Sequence, residues 1–346
     1  MKKQLPWFCT IITLLFCVCH NAESQNVAES PRAEISNELM TVKLFLPDAQ
    51  AGFYRATRFD WSGIIESLEY KGHSYFGRWF DNYSPTAHDA VMGPAEEFGA
   101  LGYNEAKPGE TFVKIGVGAL RRTSESAYNR FDLYEIVDHG KWAIHKKSDE
   151  ITFVHEIDDP CYAYEYTKTI RLILGSPEME VLHTLQNKGK CAINTDVYDH
   201  NFFVIDQRTT GPEFEVVFPF EVKVEPKRPK KAVSETTTTK TVSKRPERKE
   251  NDLSEIAGNK IGFKRKLVEG ETVRVSPISG FGKDPKYYDI KVKNRETGAG
   301  VRIVGDQPLS KIVLWASPKT LCPEAYIDIA IEPGQQFNWM YTYKIQ

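Results

Sequence analysis

The chain lacks most of the short motifs that mark cofactor-dependent and hydrolytic enzymes. It contains no phosphate-binding loop, no HExxH segment, no paired CxxC motifs and no G-x-S-x-G nucleophile elbow. The sequence therefore shows no residues arranged for nucleotide-dependent, zinc-peptidase or serine-hydrolase chemistry. The segment GVGAL at 116–120 lacks the third glycine and the following helix that a dinucleotide site needs. We expect no cofactor and no metal.

Cysteine is also scarce. The chain has six cysteines, and three of them lie in an N-terminal segment that we expect to be removed, which leaves Cys161, Cys191 and Cys322. An odd number at wide spacing is neither a disulfide framework nor a zinc pattern. At most one disulfide can form, and we expect buried free thiols instead.

Long apolar runs are absent except at the N-terminus. Two lysines precede the nearly continuous apolar run 7–18, and small residues follow at positions 22 and 24. This order is typical of a secretory signal peptide, and the run is short for a membrane span. We predict a signal peptide over 1–24, a secreted or periplasmic protein, and no stable membrane span after signal removal. The alternatives are an uncleaved anchor or lipid attachment at Cys19.

What the rest of the chain does have is strict alternation of apolar and polar residues. The alternating segments are 40–46, 161–174, 178–187, 214–224, 287–294 and 311–317. Such alternation predicts strands with one buried face, and Gly, Pro and Asn turn signals separate them. No long stretch has a helical period. We predict an all-β protein, a large antiparallel β-sandwich, in a single domain over 25–346.

One internal segment, 226–252, departs from this pattern. It has almost no large apolar side chains, and nine Lys or Arg against three Glu between 226 and 250 give a local charge of +6, whereas the whole chain carries −2. The composition predicts a disordered basic loop that interrupts the domain. The alternative is an arm for an acidic polymer or surface. This loop is the single feature of the sequence that favours nucleic-acid binding, and we expect the protein not to bind nucleic acid.

A polar cluster beside two aromatic residues marks the first candidate site. In VYDHNFFVID, residues 197–206, polar residues flank His200 and the chain then continues into Phe202 and Phe203. Such a cluster suits the floor of a sugar site, because aromatic faces stack on the C–H faces of sugars. A histidine near its unperturbed pKa can also give and retake a proton near neutral pH.

Two further groups of titratable residues need a structural interpretation. Glu96 and Glu97 are adjacent, and adjacent strand residues point to opposite faces, so both would reach one site only across a turn. His183 lies on the apolar side of its segment, which favours a hydrogen-bonded core histidine over a site residue.

Three motifs together point to one family. YDHNFF at 198–203, LCPEAYI at 321–327 and EPGQQFNWMYTY at 332–343 follow one another in that order. In this respect the sequence resembles the galactose mutarotase-like superfamily, the aldose 1-epimerases and their relatives, over about 165–220 and 286–345. The resemblance implies a mutarotase-like supersandwich without a cofactor. It also implies that His200 is the proton donor and that Glu324, in a loop, is the general base.

The sequence departs from the family pattern in ways that affect sugar binding. Asp precedes the candidate histidine and Asn follows it, and no histidine lies between His88 and His139, where the family usually has a second one. The family also has an arginine near that position. Arg121 is the first candidate for this arginine and Arg58 the second.

Two acidic residues complete the predicted substrate-binding set. We expect Glu97 to contact the ligand, and we expect the same of Asp306, whose alternative role is to fix a turn through its side chain.

The sequence thus predicts a protein that binds a sugar or glycan and acts as an aldose 1-epimerase, opening the ring by acid–base catalysis. One alternative is a non-catalytic carbohydrate-binding protein of the same fold. Another is a polysaccharide lyase or glycosidase relative, which would use Glu97 with Glu324 as its two carboxylates. The sequence indicates neither the sugar nor the oligomeric state.

Overall fold

The computed structural model describes residues 29–224 and 253–346, and the predicted signal peptide 1–24 and basic loop 226–252 lie outside the described residues. Within the described ranges, regular structure is almost entirely β-strand and the strand pairings are antiparallel. No helix in these ranges is long and apolar enough to cross a membrane. The strands are, in chain order, β1 Arg32–Ser36, β2 Thr41–Phe45, β3 Ile64–Tyr70, β4 His73–Ser74, β5 Ala95–Phe98, β6 Thr111–Lys114, β7 Gly118–Arg121, β8 Ile136–Asp138, β9 Lys141–Lys146, β10 Glu150–Ile157, β11 Tyr164–Leu172, β12 Glu178–Asn187, β13 Ile193–His200, β14 Phe214–Val217, β15 Lys223–Val224, β16 Ser254–Ala257, β17 Lys260–Phe263, β18 Val273–Ser279, β19 Asp289–Asn294, β20 Gly300–Gly305, β21 Lys311–Ser317, β22 Thr320–Ile331 and β23 Gln336–Ile345.

Two large sheets form the sandwich. One has ten strands in the order β16-β17-β14-β19-β20-β23-β12-β11-β10-β9, and the other has six in the order β15-β18-β21-β22-β13-β5. A four-stranded sheet, β1 to β4, and a three-stranded sheet, β6 to β8, accompany them. Strands from both sides of the undescribed range 225–252 lie in both large sheets. The predicted all-β antiparallel sandwich is confirmed.

The core lies between the two large sheets, as the alternating pattern requires. On β12, Met179, Val181 and Leu185 are buried, and they belong to the same apolar cluster as Val197 of β13 and Ile327 of β22. Burial of apolar surface contributes roughly 25 cal/mol per Å² to stability. The alternation therefore fixes which face of each strand is turned inward, and leaves the opposite face of the six-stranded sheet available for a site.

One predicted strand is wrong. The segment 214–224 alternates without a break in the sequence, but the structure divides it into β14 in the ten-stranded sheet and β15 in the six-stranded sheet. Between them, Phe218 donates its backbone N–H to Asn259, while Phe220 and Val222 remain buried. Alternating burial thus persists while the chain crosses from one sheet to the other, and a sequence pattern cannot distinguish this from a continuous strand.

The expectation of free thiols is wrong for two of the three cysteines. Cys161 and Cys191 form a disulfide with their Cα atoms 5.0 Å apart, whereas Cys322 is free and buried. The β11–β12 hairpin brings the two together, since Tyr164 is paired with Asn187. Wide spacing in the sequence therefore did not exclude a bridge, because antiparallel pairing folds the intervening chain back on itself.

A charged cluster occupies the core behind β5. Lys168 on β11 contacts the Glu96 carboxylate, and its Nζ lies 3.7 Å from Asp60 Oδ2. His183 Nε2 lies 2.8 Å from Glu96 Oε1, so it is a hydrogen-bonded core histidine as predicted. Burial raises the pKa of Asp60 to about 7, whereas for Glu96 the burial effect is outweighed by Lys168 and His183, which hold its pKa at about 2. Charges this deep are tolerated only when they are paired.

Candidate functional site

The candidate acid and base lie side by side on the outer face of the six-stranded sheet. Tyr198 on β13 is paired with Tyr326 on β22. His200 follows Tyr198 by two residues, and Glu324 precedes Tyr326 by two. Because the strands are antiparallel, His200 and Glu324 therefore lie beside each other on the same face as the two tyrosines. His200 Nε2 lies 3.4 Å from Glu324 Oε1, and both side chains are buried. We call these two residues the acid–base pair.

The polar residues around His200 serve two different faces of the sheet. Asp199 points into the core, where the Tyr343 hydroxyl lies 2.6 Å from its Oδ2 and 2.9 Å from Asn201 Oδ1. Asn201 also donates its side-chain N–H to the carbonyl of Pro323 at 2.6 Å. Of the three polar residues, only His200 faces outward, and the other two hold its strand against β22 and β23.

Glu324 lies within strand β22, and the expectation that it occupies a loop is wrong. The family resemblance placed Glu324 in a loop, and Pro323 before it lacks the N–H that a strand ladder uses. Here the ladder between β13 and β22 runs from Ile193–Ile331 to Tyr198–Tyr326, so Pro323 lies beyond its end on that side. A side chain carried by a strand is positioned more rigidly than one on a loop.

The two phenylalanines after His200 point in different directions: Phe202 lines the cavity and Phe203 packs in the core. Phe202 has φ 42°, a left-handed conformation that costs a non-glycine residue roughly 1–3 kcal/mol. This turn stacks its ring on His200, with centroids 3.7 Å apart and an interplanar angle of 5°. Phe203 is buried and stacks on Phe76 instead. The stacking fixes the imidazole plane beside Glu324.

A cavity of about 370 Å³ opens above the acid–base pair. Ligand pockets typically measure roughly 300–1,000 Å³, so it has room for one sugar ring. Its lining combines aromatic rings with groups of both charges: Arg58, Trp79, Asp89, Arg130, Phe131, Tyr198, His200, Phe202, Arg274, Lys311, Trp315, Glu324 and Tyr326.

An arginine network borders the cavity on the β5 side. Arg58 Nε lies 2.8 Å from Glu97 Oε2, and its Nη1 lies 2.8 Å from Asp89 Oδ1. Arg130 Nη1 lies 3.1 Å from Glu97 Oε1, and the Tyr198 hydroxyl donates to Glu97 at 2.6 Å. Burial alone would raise the pKa of Glu97, but Arg58, Lys114 and Arg130 outweigh it and hold that pKa below its ordinary value. Glu97 is therefore a fixed anion beneath the cavity.

The pKa values of the acid–base pair move in opposite directions. Burial raises the pKa of Glu324 from 4.5 to about 7. Burial, followed by the positive charge of Arg58, lowers the pKa of His200 well below 6.5. Near neutral pH the pair is therefore an uncharged imidazole beside a carboxyl group that readily gains or loses a proton. A pair of titratable groups whose pKa values are driven apart is typical of acid–base sites.

The structure brings only part of the predicted substrate-binding set to the cavity. Arg58 lines it, and Glu97 lies directly behind that arginine. Arg121 is on the three-stranded sheet, where it pairs with Glu135 at 2.7 Å. Asp306 accepts the backbone N–H of Met340 on β23 at 3.0 Å, a contact at the end of the β20–β23 ladder and not within a turn. Neither Arg121 nor Asp306 lines the cavity, so their positions correct the expectation that they contact substrate there.

Several lining residues were missed by sequence reasoning. Tyr198 carried a usable signal, because it stands two residues before His200 and therefore shares its face. Lys311 and Trp315 carried a similar one, since they lie on one face of β21. Asp89 and Arg130 lie outside the described strands, in segments without periodicity. Nothing in the sequence pattern predicts their positions.

A second cleft in the described residues lacks a histidine. A larger cleft of about 600 Å³ lies on the other side of Trp79, between Phe80 and Lys319. It contains an ion pair between Lys319 and Asp81 but no histidine. In residues 29–224 and 253–346 no group of three or more His, Cys, Asp or Glu side chains is arranged to hold a metal ion.

Comparison with known proteins identifies the fold. No family model and no curated protein matches the chain. Solved structures do. The GalM/aldose epimerase homologue from C. elegans is 12% identical with a TM-score of 0.51, and the alignment covers 92% of this chain and 99% of that one. A galactose mutarotase-like protein from Lactobacillus casei is 10% identical with a TM-score of 0.50, covering 91% and 100%. A protein from Synechocystis is 12% identical with a TM-score of 0.51, covering 93% and 99%. At this identity the likeness is one of fold, and the chain has the galactose mutarotase-like fold.

Proposed function

We propose that the protein is an aldose 1-epimerase, interconverting the anomers of a sugar by acid–base opening and closing of its ring. The observation that carries the proposal is the acid–base pair, 3.4 Å apart at the floor of a cavity of ring size. The fold, shared with solved proteins that are described as mutarotase-like or as an aldose epimerase homologue, supports it.

The geometry suits the reaction because the anomeric hydroxyl and the ring oxygen are both bonded to C1. One group removes the hydroxyl proton, the bond between C1 and the ring oxygen breaks, and the other group protonates that oxygen. C1 becomes an aldehyde carbon, rotates, and is attacked on its other face as both proton transfers reverse. Two adjacent groups that hold one proton between them can perform both transfers.

The proton count of the pair follows from its electrostatics. With neutral His200 and a Glu324 pKa of about 7, the pair carries one ionisable proton below neutrality, and this proton is on Glu324. The family resemblance assigns the proton donor to His200, which is the other tautomer of the same singly protonated pair. Moving one proton across the contact interconverts the two arrangements, so both require the same ionisation state.

Aromatic and polar groups around the pair supply the sugar contacts. Trp79 stacks on Phe202 with centroids 5.1 Å apart, and Trp315 meets the His200 ring edge-on at 5.6 Å. Such rings pack against sugar C–H faces. Arg58 presents its guanidinium at the cavity wall, where Glu97 and Asp89 fix its orientation.

A binding protein without catalysis is the second candidate, and one observation favours it. His200 and Glu324 contact each other, and Arg58 has two carboxylate partners, so these three groups are already engaged within the protein. The glycosidase alternative has less support. Glu97, the second carboxylate it would need, is held by Arg58, Arg130 and Tyr198 and does not line the cavity.

We also propose that the mature protein is exported. The Cys161–Cys191 disulfide supports this, because such bonds persist in oxidising compartments and are rare in the cytosol. Fractionation of the native host, with the intact mass of the recovered chain, tests the proposal. A mature N-terminus near residue 25 in the periplasm or medium is expected, whereas a full-length cytosolic chain would contradict it.

The proposed activity is tested by polarimetry on the mature chain with a panel of freshly dissolved aldoses. Mutarotation of at least one sugar should be accelerated, and Glu324→Gln should abolish the acceleration, because glutamine keeps the shape but cannot carry the shared proton. Binding of sugars by calorimetry without any acceleration would instead establish the non-catalytic candidate.

A further inference from the structure

The cavity contains more positive charge than its own carboxylates neutralise. Four cationic side chains line it, namely Arg58, Arg130, Arg274 and Lys311. Arg58 and Arg130 are held by Glu97 and Asp89 on the β5 side. The remaining two cations stand on the opposite side of the cavity.

Arg274 and Lys311 have no anionic partner in the described part of the chain. Within residues 29–224 and 253–346, no carboxylate oxygen lies within 4.0 Å of the Arg274 guanidinium or the Lys311 ammonium group. Lys311 is opposite Tyr326 in the β21–β22 ladder, with its Nζ 3.6 Å from the Tyr326 ring centroid. Arg274 is opposite Trp315 in the β18–β21 ladder. Both therefore project from the same sheet face as the acid–base pair.

We infer that the substrate is an acidic sugar, a hexuronic acid, whose carboxylate binds between Lys311 and Arg274 while its anomeric carbon faces the acid–base pair. This inference rests on the proposed function and specifies its substrate class. A hexuronic acid carries its carboxylate on C5, the carbon bonded to the other side of the ring oxygen from C1. The carboxylate carbon is thus three bonds from C1, on the other side of the ring oxygen whose bond to C1 breaks.

The spacing of the sheet allows Lys311 and Glu324 to contact one sugar ring together. Val313 is the residue opposite Glu324, and Lys311 is two residues along the same strand. Two residues of a strand span roughly 7 Å, so the long side chain of Lys311 can reach a carboxylate on the ring while Glu324 contacts the anomeric hydroxyl. A planar carboxylate also suits a guanidinium, which donates two parallel hydrogen bonds to it.

The electrostatics of Lys311 agree with an anion at this position. Burial is the largest effect and lowers the pKa of Lys311. Asp196 raises that pKa, and the positive charge of Arg130 lowers it. Glu324 raises that pKa and Arg274 lowers it further. A bound carboxylate would offset the repulsion among these three cations, which makes anion binding more favourable than at an isolated surface lysine.

The test compares galactose, galacturonic acid and galactose 6-phosphate as substrates for anomer exchange, followed by NMR. Wild-type protein should have a higher kcat/KM for the uronic acid than for galactose. Lys311→Gln and Arg274→Gln should each lower the uronic-acid value roughly tenfold or more, the usual consequence of losing a hydrogen bond to a charged group, and should lower the galactose value much less. The control is Lys291→Gln, an exposed lysine on the ten-stranded sheet, which changes the net charge equally but should not alter the preference.

Each contrary outcome is distinct. Equal loss for both sugars, or a preference for galactose or for the 6-phosphate, overturns the inference but leaves the proposed function standing. If no sugar is exchanged, the proposed function fails, and calorimetric titration with galacturonic acid then decides the inference separately. Binding that Lys311→Gln weakens supports the acidic-sugar site, and absence of binding to wild type refutes it.

Discussion

Replacing Glu324 with glutamine should stabilise the protein at about pH 8 and leave its stability nearly unchanged at about pH 4. Burial raises the pKa of this carboxyl from 4.5 to about 7. A group whose pKa is raised by folding contributes stability that is fully present below its unfolded pKa and is lost as pH rises through the folded value. At about 1.36 kcal/mol per pKa unit, the loss in the wild-type protein amounts to about 3 kcal/mol by pH 8.

Urea unfolding at the two pH values measures this effect directly, with the disulfide left intact. The free energy of unfolding of Glu324→Gln minus that of wild type should rise by about 3 kcal/mol between pH 4 and pH 8. Glu269→Gln, at an exposed surface position, is the control and should change by less than about 0.5 kcal/mol. A difference for Glu324→Gln that is independent of pH would refute the claim that the cavity holds a destabilised, proton-sharing carboxyl. The predicted gain also means that the chain carries this carboxylate at a cost to stability, as functional sites often do.

Three further predictions concern activity and the core. The kcat/KM for anomer exchange should fall as pH rises through about 7, because the acid–base pair then loses its shared proton, while the acid limb should lie well below pH 6.5; a pH–rate profile measures both. Glu96→Gln should lower the free energy of unfolding by about 3–5 kcal/mol in urea melts, since it leaves the buried Lys168 ammonium without its closest carboxylate, and a change below about 1 kcal/mol would contradict the buried pairing. Replacing Cys161 and Cys191 together with serine should lower the free energy of unfolding by about 2–4 kcal/mol in the same assay, and equal stability of the two forms would show that the bridge is absent.

The sandwich could be predicted from the sequence because its dominant signal is local. Strict alternation over 178–187 specifies a one-sided strand, and β12 occupies that range. The break after Val217 could not be predicted in this way, because burial still alternates while the chain passes from one sheet to the other. The disulfide was missed for a related reason, since the distance between Cys161 and Cys191 depends on the register of a hairpin rather than on their spacing.

The site was predictable only where its residues share a strand face. His200 and Glu324 were selected by resemblance, and antiparallel pairing makes them neighbours. The choice between Arg58 and Arg121 depended on which loop or strand reaches the cavity, and no local pattern contains that information. The unbalanced charge of Lys311 likewise becomes visible only when its surroundings are known.

The most direct test of the account is the rate of anomer exchange, measured by saturation-transfer NMR at about pH 6, where the pair holds its single proton. Free aldoses and hexuronic acids would be compared with wild-type protein, Glu324→Gln and His200→Asn. The account predicts exchange of at least one sugar by wild type, and loss of nearly all of it in both folded variants. Exchange by wild type that either folded variant retains would contradict the assignment of His200 and Glu324 as the acid–base pair.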